Sequence, residues 1–168
     1  MSLVETALSM VVLAVACLTA LSVLVSSMEL DAVNRETKIA FDAARARIEM
    51  VRAERFNQVV AAFNLDPADD PQGAGTAPGP TFSVAELPSV AAGGAPHGAI
   101  VLPVDAAGTV RENLSIPALG LPRDLNGDNL VDGDDHTADA ILIPVLVRVR
   151  WSGTTGARES ALSTVLRP

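Results

Sequence analysis

The first 66 residues contain neither glycine nor proline, and this constrains the fold more than any other feature of the sequence. Because these are the two residues that helices tolerate least, their absence permits one uninterrupted helix from about residue 2 to residue 64. Residues 6–28 carry no charge. A run of that length can cross the roughly 30 Å hydrocarbon core of a bilayer. The sequence therefore predicts a long N-terminal helix whose first part, residues 1–28, lies in an apolar environment.

Beyond Glu29 the helical pattern becomes amphipathic. Oppositely charged pairs three or four residues apart, such as Asp31 with Arg35, favour a solvated helix face. Apolar and small residues recur at the same spacings and predict the opposite, buried face: Leu30, Val33, Thr37, Phe41, Ala44, Ile48, Val51 and Val59. We therefore expect residues 29–65 to pack along a globular domain.

The period of the pattern changes after a loop rich in proline, glycine and aspartate at residues 66–80. Valines at every second position from Val145 to Val149 are typical of a half-buried strand. Two hairpins are predicted, from residues 99–104 with 109–116 and from residues 141–151 with 157–166. Hairpins that follow a long helix favour an α+β fold, in which an antiparallel sheet domain of residues 66–168 packs on the helix.

Charge and cysteine content exclude several function classes. The net charge is −8, and residues 67–168 hold twelve acids against six bases. An acidic domain without a basic patch argues against nucleic-acid binding. Cys17 is the only cysteine, so an intramolecular disulfide cannot form. We expect both histidines, His97 and His136, to be solvated, and no serine has a histidine at a recognisable spacing, so an enzyme is not expected.

The N-terminus combines an acid with a long apolar run. Residues 1–5 read Met-Ser-Leu-Val-Glu, and no further charge occurs before Glu29. A carboxylate in such a segment is costly in lipid and needs a cationic partner. The nearest candidate is an α-amino group, either the chain's own or that of a neighbouring subunit. This start, the uncharged run and the amphipathic continuation resemble the mature N-terminus of type IV pilins and type II secretion pseudopilins.

The resemblance implies an assembly mechanism. It implies that prepilin peptidase has already trimmed the chain, that Met1 carries a methylated N-terminal amine, and that Glu5 neutralises the amine of an adjacent subunit. Residues 1–28 would then form the core of a helical filament made of copies of this chain. Before assembly by the pilus machinery the subunit would sit in the bacterial inner membrane, and afterwards in an extracellular filament on the cell surface.

The chain departs from the family pattern in two respects. Many pilins have glycine and proline where the helix melts in the filament, whereas this chain offers only Ala14, Thr19 and Ser22 as weaker points. Many pilins also close a C-terminal loop with a disulfide, which this chain cannot do.

The same features allow other functions. A pseudopilin or minor pilin of a type II secretion system or pilus tip would share all of them. A single-pass anchored protein with Met1 as its initiator, or an anchored calcium-dependent binding module, would share most of them. The choice between adhesion, motility, DNA uptake and secretion stays open.

Residues 124–135 form the sharpest chemical motif. Oxygen-bearing side chains occupy positions 1, 3, 5, 9 and 12 of a twelve-residue loop, the spacing with which an EF-hand wraps Ca²⁺. The predicted ligands are the side chains of these residues and one backbone carbonyl, that of Leu130: Asp124, Asn126, Asp128, Asp132 and Asp135. The alternative is a solvated acidic turn, and Mg²⁺ suits the loop less well because it prefers a smaller octahedral shell.

The loop resembles the dockerin-type variant of the EF-hand, in which position 12 is often aspartate. Asn129 replaces the usual glycine at position 6, and asparagine tolerates the left-handed conformation better than most residues. We expect Val131 to anchor the loop on the domain, with Asp134 and Asp139 nearby as substitute ligands or outer-shell groups. Ca²⁺ would tie residues 117–123 to the strand beginning at Ile141, the task that a disulfide performs in other pilins.

Overall fold

One long helix and a four-stranded sheet make up the fold. The computed structural model describes residues 2–90, 94–153 and 156–168. Helix α1 has 51 residues, which is about 75 Å at about 1.5 Å per residue. The helices and strands are α1 (Leu3–Ala53), α2 (Val59–Phe63), β1 (Thr81–Phe82), β2 (Gly98–Val101), β3 (Ile143–Gly153) and β4 (Gly156–Leu166), with 3₁₀ turns at Phe56–Gln58 and Pro117–Leu119.

The sheet is antiparallel throughout, with the strand order β1-β2-β3-β4. Helix α1 packs against β3 and β4. On the central strand β3, Val147 lies between Ile100 of β2 and Leu162 of β4. Its alternating valines are buried, as the pattern predicts. The predicted α+β fold, a long N-terminal helix packed on an antiparallel sheet, is confirmed.

Small residues bring α1 close to the sheet. The buried residues of α1 are Ala40, Ala44, Ile48 and Val51. Phe41, which the periodicity places on the buried face, is 44% exposed. Alanine at positions 40 and 44 leaves room for the strands, whereas a phenylalanine ring would hold the helix away from them. Polar contacts complete the packing, because Trp151 Nε1 donates to Glu36 Oε2 at 3.1 Å and Arg52 Nη2 donates to Thr164 Oγ1 at 2.8 Å.

Helix α1 ends earlier than the sequence predicts. The prediction of an uninterrupted helix to residue 64 is wrong, because Glu54 and Arg55 adopt extended conformations with ψ of 153° and 134°. These two charged residues stand where the buried stripe would continue after Val51. The break redirects the chain, and four of the five apolar residues of α2 become buried: Val59, Val60, Ala62 and Phe63. A helix that is apolar on several sides is stable only when it is enclosed, which a straight continuation of α1 would not provide.

The first predicted hairpin does not form. Strand β2 pairs with β1 and β3, and residues 109–116 make only the isolated bridge between Val104 and Val110 within the described chain. The backbone of Val110 is used elsewhere, since its N–H donates to Thr137 Oγ1 at 3.1 Å and its carbonyl accepts from His136 N–H at 3.1 Å. Residues 109–116 therefore support residues 124–135, named the acidic loop below, instead of extending the sheet. The second predicted hairpin forms β3 and β4; its turn residues 154 and 155 lie outside the described residues.

Gly98 permits the ring of Phe82 to cover the strand. A Cβ at this position would lie 2.1 Å from the Phe82 ring, far inside van der Waals contact, and the same ring carries Arg47 above it at 4.5 Å. We expect Gly98→Ala to destabilise the domain by about 1–3 kcal/mol, the usual range for overpacking. Thermal unfolding of the full chain in detergent micelles measures the effect. A second change, Phe82→Leu, should restore part of the loss, and an unaltered melting temperature in the single variant would contradict the packing.

Candidate functional site

The N-terminal part of α1 is an apolar helix that no other part of the described chain covers. All of residues 2–28 are exposed, and Glu5 is the only charge among them. This part of α1 is long and apolar enough to cross a membrane. It is helical throughout residues 14–22, where Thr19 Oγ1 and Ser22 Oγ both donate to backbone carbonyls of the helix at 2.8 Å. Met1, the other residue predicted for assembly, lies outside the described residues.

The acidic loop folds as a tight ring of backbone and carboxylate groups. Asp124 begins it, with Oδ1 accepting from Gly127 N–H at 2.5 Å and Oδ2 accepting from Asn129 N–H at 2.8 Å. These donors, Gly127 first, lower the pKa of Asp124 from its ordinary value. Asn129 has a φ of 67°, in the left-handed region where the EF-hand pattern places glycine. The expected tolerance of asparagine at position 6 is confirmed.

The other predicted ligand side chains also turn the loop. Each oxygen accepts an N–H from two residues further on, the hydrogen bond of an Asx turn. The pairs are Asn126 with Asp128 at 3.1 Å, Asp128 with Leu130 at 2.7 Å, Asp132 with Asp134 at 2.8 Å, and Asp135 with Thr137 at 2.9 Å. Asp132 Oδ1 also has a second partner, because His136 Nε2 lies 3.0 Å from it.

Leu125 anchors the loop to the domain. Its side chain is fully buried, and its carbonyl accepts from Ile141 N–H at 2.8 Å and from Leu142 N–H at 3.0 Å. The start of the loop is thereby joined to the residues that lead into β3. The prediction that Val131 anchors the loop is wrong, since its side chain is 49% exposed.

Glu112 reaches the loop from the segment that was predicted to be a strand. The residue is 0% exposed. Its Oε1 accepts from Leu125 N–H at 2.5 Å and from Asn126 N–H at 3.1 Å. Its Oε2 is buried and accepts no hydrogen bond from the part of the chain that the structure describes. It lies 3.9 Å from His136 Nε2, beyond hydrogen-bond distance.

His136 is buried beside Glu112, so the prediction of a solvated histidine is wrong. Its Nε2 lies 3.0 Å from Asp132 Oδ1, and its Nδ1 lies 3.2 Å from Asp139 Oδ1. Burial of the imidazole works to lower its pKa, but the hydrogen bond with Asp132 and the charges of Glu112 and Asp139 outweigh it, so the pKa of His136 is raised. The pKa of Asp132 is lowered, first by Asp134 N–H and then by His136.

Glu112, Asp132 and His136 together can hold a metal ion. One ligand atom from each lies within 4.8 Å of the other two. Sequence reasoning identified Asp132 only. Glu112 was missed because it is twelve residues from the motif, although a lone acid within an apolar alternating segment is the signal that could have pointed to it. The remaining carboxylates of the predicted calcium set do not join this group, and their role as ligands stays a prediction.

The other histidine, His97, lies apart from this group. Its Nδ1 accepts from Val84 N–H at 3.1 Å, and its ring is half-buried instead of fully solvated. It therefore joins the segment that follows β1 to the residue that precedes β2. We assign it no part in metal binding.

Comparisons of this chain with protein-family models, with curated proteins and with solved structures each found no match.

Proposed function

We propose that this chain is a structural, non-enzymatic subunit of a bacterial type IV pilus-like filament that polymerises through the exposed part of α1. The observation that carries the proposal is the uncovered apolar surface of residues 2–28. An apolar surface of this size is not stable in water, so it must be covered by lipid or by protein. In the proposed life cycle the inner membrane covers it first and copies of the same helix cover it in the extracellular filament.

Glu5 supports polymerisation over permanent anchoring. A carboxylate within an apolar helix is expensive in lipid unless it has a cationic partner. The next charge along α1 is Glu29, another acid, so no base within residues 2–29 can pair with it. The proposed partner is the N-terminal amine of a neighbouring subunit, which prepilin peptidase exposes and which is methylated at Met1.

The assembly test compares two acids of the same helix. We expect Glu5→Gln to leave the subunit in the membrane but to reduce filament yield by more than about tenfold, because removal of one partner leaves a buried amine uncompensated. The control is Glu29→Gln, which removes an exposed acid from α1 and should assemble normally. Filament yield is measured by shearing and sedimentation. Normal yield from Glu5→Gln would contradict the proposal.

The second candidate is a pseudopilin or minor pilin of a type II secretion system or pilus tip. The same exposed helix supports it, so stoichiometry must separate the two. Abundant long filaments indicate a major subunit, whereas a few copies per assembly indicate a minor one. Intact mass of the purified chain separates both from a permanently anchored protein, since a methylated Met1 requires prepilin processing.

We further propose that the loop of residues 124–135 binds Ca²⁺. The support is its backbone, in which Asn129 occupies the left-handed conformation and Asp124 closes the ring. The ion would be held by oxygens of the predicted set and would neutralise carboxylates that otherwise repel one another. The ligands would be Asp124, Asn126, Asp128, Asp132, Asp135 and the Leu130 carbonyl.

Removal of calcium is expected to lower the stability of the domain. Ligand linkage raises the free energy of unfolding by about 2.7 kcal/mol when free Ca²⁺ is about 100 times its Kd. The fluorescence of Trp151, the sole tryptophan, reports unfolding because its side chain is 1% exposed. We expect a calcium-specific chelator to lower the melting temperature of the full chain in micelles and Asp128→Asn to weaken the response. A melting curve that chelator leaves unchanged would refute calcium binding.

A further inference from the structure

We propose that Glu112, Asp132 and His136 form a second site, for a divalent transition metal of the Zn²⁺ class, with Asp139 positioning the imidazole. This site goes beyond the proposed filament function and does not depend on it. It also differs from the calcium loop in its chemistry, because one of its three ligands is nitrogen.

The three ligand atoms are spaced as a single ion requires. Tetrahedral Zn²⁺ with bonds of about 2.0–2.2 Å holds its ligands about 3.3–3.6 Å apart. His136 Nε2 lies 3.0 Å from Asp132 Oδ1 and 3.9 Å from Glu112 Oε2. These two distances bracket the required value, and the third, between the ligand oxygens of Asp132 and Glu112, is within 4.8 Å. Small side-chain movements would therefore bring all three atoms onto one ion.

Glu112 is held with one oxygen aimed at the cluster. Backbone N–H groups of Leu125 and Asn126 both donate to Oε1 and fix the carboxylate. The buried Oε2 then accepts no hydrogen bond from the described residues, an expensive arrangement that needs an explanation. A metal ion at this oxygen would provide one, because it would compensate the buried negative charge.

His136 has the second interaction that metal-binding histidines show. Such a histidine almost always donates its other ring N–H to a carboxylate or carbonyl, which fixes the tautomer. Asp139 Oδ1 lies 3.2 Å from His136 Nδ1. The ion would displace the proton that Nε2 shares with Asp132 Oδ1, so that Nδ1–H donates to Asp139 and the Nε2 lone pair faces the ion beside Asp132 and Glu112. The ring is thus oriented for coordination by a residue that does not itself bind the ion.

The nitrogen ligand decides which ion the site prefers. Imidazole suits Zn²⁺ and its neighbours in the transition series, whereas Ca²⁺ takes oxygen ligands only. Three protein ligands also leave one position of a tetrahedral ion for water. Asp132 belongs to both proposed sites, but it is position 9 of the loop, which an EF-hand often connects to Ca²⁺ through water. The other calcium ligands of the loop can therefore stay in place when Asp132 binds the second ion.

The test is a titration of the full chain in detergent micelles, first stripped of metal, with Zn²⁺ alone and with Zn²⁺ in excess Ca²⁺. We expect one equivalent of Zn²⁺ to bind in both cases. His136→Gln should abolish this binding while the calcium-dependent rise in melting temperature persists. The matched control is His97→Gln, which removes the other histidine and should bind Zn²⁺ as the unaltered chain does. Co²⁺ in place of Zn²⁺ adds a visible spectrum that reports nitrogen ligation.

A second variant distinguishes the loss of Zn²⁺ binding from a loss of folding. His136 is buried, whereas the Asp139 side chain is 57% exposed and its replacement should leave the fold intact. Asp139→Asn is expected to weaken Zn²⁺ binding about 10- to 100-fold, with Trp151 fluorescence unchanged. Equal Zn²⁺ affinity in Asp139→Asn and the unaltered chain would overturn the positioning role. No Zn²⁺ binding, complete displacement by Ca²⁺, or unchanged binding in a folded His136→Gln would each overturn the site.

Discussion

Phe63→Ala is expected to destabilise the domain by about 3–5 kcal/mol, the range for removal of a buried aromatic ring. The ring is 1% exposed and belongs to the core formed by the sheet and the two helices. It reaches the core only because the chain leaves the axis of α1 at Glu54 and Arg55. The stability lost in this variant therefore measures what the break after α1 contributes to the free energy of unfolding by allowing Phe63 to be buried.

The control for Phe63→Ala lies two residues further along. Leu65 is 84% exposed, so Leu65→Ala is expected to change stability by less than about 0.5 kcal/mol. Denaturant unfolding of the full chain in micelles, followed through Trp151 fluorescence, compares the two. Similar effects of both variants would contradict the docking of α2 in the core.

Glu112→Ala is expected to cost about 2–4 kcal/mol even in the absence of any metal, because it leaves buried backbone donors unpaired. The N–H groups of Leu125 and Asn126 both depend on Glu112 Oε1. Leu125 is fully buried, so its N–H would lose its acceptor in the interior of the domain. The start of the acidic loop should loosen, and calcium binding should weaken with it.

Glu112→Gln separates the hydrogen bonds from the charge. Its amide oxygen can accept from the same two N–H groups, so we expect it to retain most of the stability that alanine loses. The comparison is made by thermal melts with chelator present throughout, which removes any contribution of bound metal. If the glutamine variant were as unstable as the alanine variant, the negative charge rather than the hydrogen bonds would hold the loop.

Only part of the candidate site could be predicted from the sequence, because some of its residues follow a local spacing pattern and the others do not. The loop has its oxygens at a local spacing, and the left-handed Asn129 follows from local backbone preference. Glu112 and His136 carry no such spacing. They are brought together by the hydrogen bonds that fasten Val110 to Thr137 and His136, and these contacts join residues distant in sequence.

The sequence by itself determined the elements that depend on local physics. Absence of glycine and proline with a charge-free run produced the exposed part of α1, and the alternation from Val145 to Trp151 predicted β3, whose first five residues are buried on both faces. The tertiary structure decided where competing local preferences were nearly equal. It ended α1 at Ala53 because enclosure of α2 outweighs the continuation of a helix through Glu54 and Arg55. It also made residues 109–116 a support for the acidic loop instead of a strand. In this position the buried Glu112 accepts hydrogen bonds from the N–H groups of Leu125 and Asn126, which the sheet does not pair.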